Sequence, residues 1–241
     1  MYSTSAFKAH FTFFLKNYLR SHRYLREIVA IVIFHIFFWG FLYGEKPDHA
    51  IWAVFGSLGL LLSLVTTPSI FYLEKGNSLS FSLVHPGGRK YFFLAKILLI
   101  FLVDFSWILL FSFIYGIRFL DANYFIFLIP RLIFIALLLL LAINLLSLIF
   151  THRPWIGAIL LVLIVFGSII NKVALFPLSS VSGGYKILSF LLPPFQELIY
   201  AAILLKFTPW RIIFLIITVL QIGFYLWLNL RLISRHDFAD D

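Results

Sequence analysis

Long runs of apolar residues, separated by short polar joints, fill most of this 241-residue chain. A helix needs about 20 such residues to cross a hydrocarbon core of ~30 Å. Six runs meet or approach that length: 28–44, 50–73, 91–117, 124–150, 155–176 and 210–233. The first is short and must stand nearly upright or lean on interfacial anchors. A further apolar segment, 187–205, is interrupted by Pro193-Pro194 and carries Glu197. Broken backbone at membrane depth must be satisfied by protein or water. That segment therefore reads as a re-entrant or surface helix pair within an excursion over 177–209. The pattern predicts an all-α polytopic membrane protein, with six transmembrane helices and one broken segment before the last.

Residues 7–26 follow a different pattern. At about 100° per residue, Phe7, Phe11, Phe14, Tyr18 and Leu25 share one narrow face. Lys16, Arg20 and Arg23 fall opposite, with Lys8 and Arg26 at the border. This predicts a basic amphipathic helix lying flat at the cytoplasmic interface. It is either a juxtamembrane anchor alone or also a flank for a partner protein, and the two roles are compatible.

Composition supports lipid as the solvent. The chain is 62% hydrophobic and 12% charged, with 30 phenylalanines. A soluble domain is about half apolar and about a quarter charged, and could not hide this much apolar surface. There is no cysteine, which excludes disulfides and thiolate metal sites. No cleavable signal peptide is expected, because the first apolar run starts late and no small-residue cleavage site follows it. The net charge of +9 reads as topology rather than nucleic-acid binding. With the N-terminus inside, most of the 19 Lys and Arg fall in inner segments. The expectation is a multi-pass protein of the cell (inner or plasma) membrane with both termini cytoplasmic.

The joint at 74–90 is far longer than a hairpin between two spans requires. Within it, 78–84 is long enough for two helical turns. Leu79 and Leu83 share a face there, with Phe81 to the side. Gly76 can free the chain from the second span. Pro86 with Gly87-Gly88 ends the short helix and turns the chain back. Arg89, Lys90 and Lys96 follow at the level of the headgroup phosphates. On physical grounds this is either an ordinary positive-inside loop or a handle for a soluble partner.

The order Glu74-Lys75-Gly76, Ser78-Leu79, His85-Pro86, Arg89 and then Lys96 resembles the first cytoplasmic loop of the type-2 export class of ATP-binding-cassette permeases. That loop runs acid, base, Gly, small hydroxyl, Leu, then Pro, a basic residue and a later Lys. The likeness covers most of the chain in layout but only 74–96 in motif. Asn77 and the Gly-Gly at 87–88 depart from it. The resemblance implies the single permease domain (1–241) of an ATP-driven exporter. It implies a second copy or a similar permease alongside and a separate ATPase dimer beneath, with 78–84 as coupling helix and 7–26 as connecting helix. ATP and Mg would belong to that ATPase. The chain has no G-x-x-x-x-G-K-[ST] loop, and no cofactor is expected on it. The haem-exporter permeases also resemble the second and third spans, including Ile51-Trp52, but usually lack so marked an N-terminal helix. A polytopic scaffold without transport is the reading from another class.

Catalytic chemistry is not indicated. The seven histidines are scattered and no H-E-x-x-H or G-x-S-x-G occurs, so neither an enzyme nor a metal site is expected. Asp104 lies inside the third span, where a carboxylate must face the bundle interior. It reads as a structural hydrogen bond or as a residue lining a substrate path. Asn144, Asn171 and Gln221 are polar groups of other spans placed to meet it. Glu197 reads as a solvated interfacial acid, and Arg131 as a cation reaching headgroups. Gly56 and Gly59 would let the second span approach a neighbour closely.

Overall fold

The computed structural model describes residues 2–44, 50–71, 88–151, 192–206 and 208–235, and every regular element among them is a helix. In chain order these are α1 (Tyr2–Arg20), α2 (Tyr24–Phe37), α3 (Trp39–Leu42), α4 (Ile51–Phe71) and α5 (Gly88–Phe119). After them come α6 (Ala122–Ile126), α7 (Leu128–Thr151), α8 (Phe195–Leu204) and α9 (Pro209–Arg235). Four of them, α4, α5, α7 and α9, are long and apolar enough to cross a membrane. The predicted span 155–176 lies outside the described residues.

The amphipathic stretch 7–26 is not one element. α1 begins before residue 7 and ends at Arg20, and His22 takes a left-handed backbone with φ of 51°. α2 then restarts at Tyr24, so Leu25 belongs to a second helix, where it is exposed. Nor does α1 spend its aromatic face on a membrane surface alone. That face packs along α5: Phe14 meets Phe92 edge-on at 4.9 Å and His10 meets the same ring at 6.0 Å. α5 is 32 residues, about 48 Å of helix. It therefore exceeds a hydrocarbon core by roughly 18 Å, leaving a flank for α1 to cover.

The predicted first span, 28–44, is also divided. α2 stops at Phe38, whose φ and ψ are −104° and 17°, and the single turn α3 follows. Its 14 residues make about 21 Å of helix, which is why it is not among the four of spanning length. The predicted span 124–150 becomes the one-turn α6, capped by Asp121 accepting from the Asn123 amide at 3.0 Å, and then α7.

α7 is the centre of the bundle, with α4, α5, α8 and α9 packed around it. The most apolar stretch of α7 is 78% buried and that of α9 only 17%, so α7 is core and α9 is periphery. α2 leans on α4. Pro193 and Pro194 are buried and lead into α8, which lies against α7 and α4 and ends at Leu205 with φ of 48°. The approach of α8 to α4 needs Gly56: a Cβ there would stand 2.7 Å from Ile199 Cγ1. Glu197 is thereby carried inside, at 8% exposure, rather than left at a wet interface.

Candidate functional site

Polar groups in an apolar bundle cost several kcal/mol each unless they are satisfied, so they mark where the fold has been constrained. Three sets are built into this one, at the α4–α5 junction, deeper beside it, and between α7 and α9.

The first set joins the ends of α4 and α5. Lys96, two turns into α5, is buried, and its ammonium sits over the rings of Phe92 at 4.5 Å, Phe14 at 5.3 Å and Phe71 at 5.3 Å. It also donates to the Phe71 carbonyl at 3.4 Å, in the last turn of α4. Arg23, from the break between α1 and α2, donates to the Ser69 carbonyl in the same turn. The last carbonyls of a helix have no intrahelical donor and carry partial negative charge, so two cations there satisfy both needs. α1, α4 and α5 are thus fastened together where the polar segment 72–87 departs. Lys96 had been expected at headgroup level and is enclosed instead.

The second set is a pair of buried acids. Asp104 is fully enclosed on α5, and its carboxyl faces Thr66 and Ser63 of α4. Glu27 on α2 is equally enclosed, faces the same Thr66, and accepts from Tyr18 Oη at 2.8 Å. Burial and then the neighbouring Glu27 carboxyl push the Tyr18 phenol above its ordinary range, so Tyr18 is a hydrogen-bond donor at any working pH.

The third set ties α7 to α9. Asn229 Nδ2 donates to the Asn144 carbonyl and to Ser147 Oγ, both at 2.9 Å. Asn144 Nδ2 donates to the Leu140 carbonyl at 2.8 Å. Asn144 is therefore held in this clamp. Gln221 lies part-buried on α9, and Asn171 is outside the described residues.

At the opposite end of the bundle Arg118 closes α3 by donating to the carbonyls of Leu42, Tyr43 and Gly44 at 2.7, 3.2 and 3.3 Å. Arg131 does not reach outward: it is buried, with its guanidinium 5.6 Å from the Trp52 ring. Trp52 is enclosed too and stacks on Tyr124, so it is part of the core.

No family model, curated protein or solved structure matches this chain.

Of the residues singled out in the 74–96 motif, Glu74, Lys75, Gly76, Ser78, Leu79, Phe81, Leu83, His85 and Pro86 lie outside the described residues. Arg89 is part-buried in the first turn of α5. On α1, Phe14 and Tyr18 are buried, Phe7 and Phe11 part-buried, and Lys16 and Arg20 exposed. Arg23 is half-buried in the break that follows. Sequence reading missed Glu27. It stands just ahead of an apolar run among Arg23 and Arg26, where an acid looks like a member of a surface charge cluster. Glu27 stands nine residues after Tyr18, on the opposite side of a continuous helix, and only the bend between α1 and α2 turns the two into a contact.

Proposed function

We propose that this chain is the membrane subunit of an ATP-driven exporter, with six spans, both termini cytoplasmic, and a separate P-loop ATPase dimer beneath a pair of such subunits. The observation that carries this reading is the mounting of the polar segment between α4 and α5. Its two helix ends are tied to each other by Lys96 and to the α1–α2 break by Arg23, with Phe14, Phe71 and Phe92 around the ammonium. A short helix carried on such a base passes a displacement on to α1, α4 and α5 together instead of losing it in a slack loop. The sequence around it supports the same reading, from Glu74-Lys75-Gly76 to Arg89 and Lys96.

On this reading the segment 78–84 is gripped by the ATPase. Closure of the ATPase on ATP moves the α1–α4–α5 block, and the bundle rocks about α7 between inward and outward states. This chain supplies the path and the handle, and its partner supplies the hydrolysis. The test is co-purification of the full chain with a P-loop ATPase, with and without Leu79→Asp and Leu83→Asp. Both substitutions together should abolish the complex and the stimulation of ATP hydrolysis. Intact binding and coupling in that variant, or labelling of an Asn77→Cys variant from outside intact cells, would refute the assignment.

A further inference from the structure

The two enclosed acids are not accounted for by packing or by transmission of a push. Glu27 and Asp104 come from different helices, and both have 0% exposure. Thr66 faces both of them from α4. Glu27 Oε1, both Asp104 carboxyl oxygens and Thr66 Oγ1 have no hydrogen-bond partner among the described residues. A native fold rarely leaves so many buried polar atoms facing one another unless something joins them.

Neighbouring charges do not neutralise the pair. Arg26 acts on Glu27 from the same helix. Among the described residues no cation acts on Asp104, whose charged neighbour is Glu27. α1 contributes the Tyr18 phenol, and α4 the hydroxyls of Ser63 and Thr66. α7 and α9 bury the uncharged Asn144, Ser147 and Asn229, which are bonded to one another, and Thr218, which donates to the Phe214 carbonyl; the buried cation of α7, Arg131, lies against Trp52. Two carboxylates in such a site cannot both stay ionised, because burial disfavours each charge and each disfavours the other. A proton needs no cavity, and a protonated carboxyl becomes a donor to the oxygen it faces.

We propose that Glu27, Thr66 and Asp104 form a proton-binding site beside the α4–α5 junction, in which bound protons join α1 and α2 to α4 and α5. Release breaks a carboxyl O–H bond; water takes the proton, and the electron pair stays on the carboxylate oxygen. The exchange route is Glu27, which lies in the first turn of α2, five residues after the exposed His22 at the break. Emptied, the site holds two like charges, and the α1–α2 arm is driven off the bundle. This is independent of the exporter reading, since it needs neither an ATPase nor a cargo.

The test uses the full chain in lipid nanodiscs, with infrared difference spectra taken while pH is stepped from about 6 to about 9. The wild type should show a carboxylic-acid carbonyl band at neutral pH that bleaches as pH rises. In a Glu197→Gln background, which removes the third buried acid, Glu27→Gln and Asp104→Asn should each remove about half of it, and the double variant all of it. Thr66→Val, which keeps the volume, should shift the band remaining in each single variant. Amide exchange in α1 and α2 should quicken with pH in the wild type beyond the intrinsic rate, and track the intrinsic rate in the double variant. The proposal is overturned by absence of the band in the wild type, by its survival in the double variant, or by Thr66→Val leaving both acids unmoved. Displacement of the band by sodium at fixed pH would also overturn it, in favour of a metal-cation site.

Discussion

Gly56→Ala gives the sharpest test of how the helix after Pro193-Pro194 is held. The new Cβ would lie 2.7 Å from Ile199 Cγ1 and 3.1 Å from its Cδ1. Carbon atoms prefer about 3.5–4.0 Å, so Ile199 or the whole of α8 must give way by roughly an ångström. Overpacking of that order costs about 1–3 kcal/mol. Alanine in a helix interior returns up to about 1 kcal/mol relative to glycine. The net effect in the wild type should be destabilising by about 1 kcal/mol. Ile199→Ala removes both offending atoms. In that background only the helix term is left, and Gly56→Ala should stabilise by up to about 1 kcal/mol. The coupling in the double-mutant cycle is then about 1–3 kcal/mol. Reversible unfolding of the full chain in mixed micelles measures all four variants. An equal effect of Gly56→Ala in both backgrounds would show that α8 does not rest on α4 at this point.

Three further outcomes follow from other contacts. Lys96→Met keeps the stem among Phe14, Phe71 and Phe92 and should cost about 1 kcal/mol through loss of the cationic donor at the C-terminal end of α4. Lys96→Glu puts an anion at that negative helix end, inside the ring cage, and should cost several kcal/mol; equal stability of the two variants in the same assay would rule out the capping role. Leu120 is 81% exposed with φ of 49°, so Leu120→Gly should stabilise by about 1 kcal/mol, read as a raised unfolding midpoint. Burial lowers the His10 pKa, so below about pH 6.5 the unfolded chain binds more protons than the folded one and stability falls with acidification. His10→Phe should reduce that loss, and an unchanged stability–pH curve below that point would show that His10 does not contribute.

How much could be read in advance varied with the kind of interaction. The apolar runs that became α4, α5, α7 and α9 were legible because lipid demands one simple property, about 20 apolar residues in a row, at every one of them. The apolar face of α1 was legible for the same reason. Its partner was not: Phe14 and Tyr18 would suit a membrane surface as well as they suit α5, since both are apolar. Asp104 was visible as a charge in a span. Glu27 was hidden, because an acid beside Arg23 and Arg26 looks solvated until the break at His22 folds α1 back toward α2.

The amino-acid order by itself settled that this protein is helical and lives in lipid, because hydropathy is a property of single residues summed along a chain. It also settled where a glycine stands ready for a close neighbour. Only the tertiary structure decided that α8 is that neighbour and that Arg131 and Glu197 are buried. It likewise decided that Lys96 caps α4, and that Glu27 and Asp104 share Thr66. Each of these depends on which helices lie side by side, and in a uniformly apolar chain many pairings bury similar area, so the local pattern cannot choose among them.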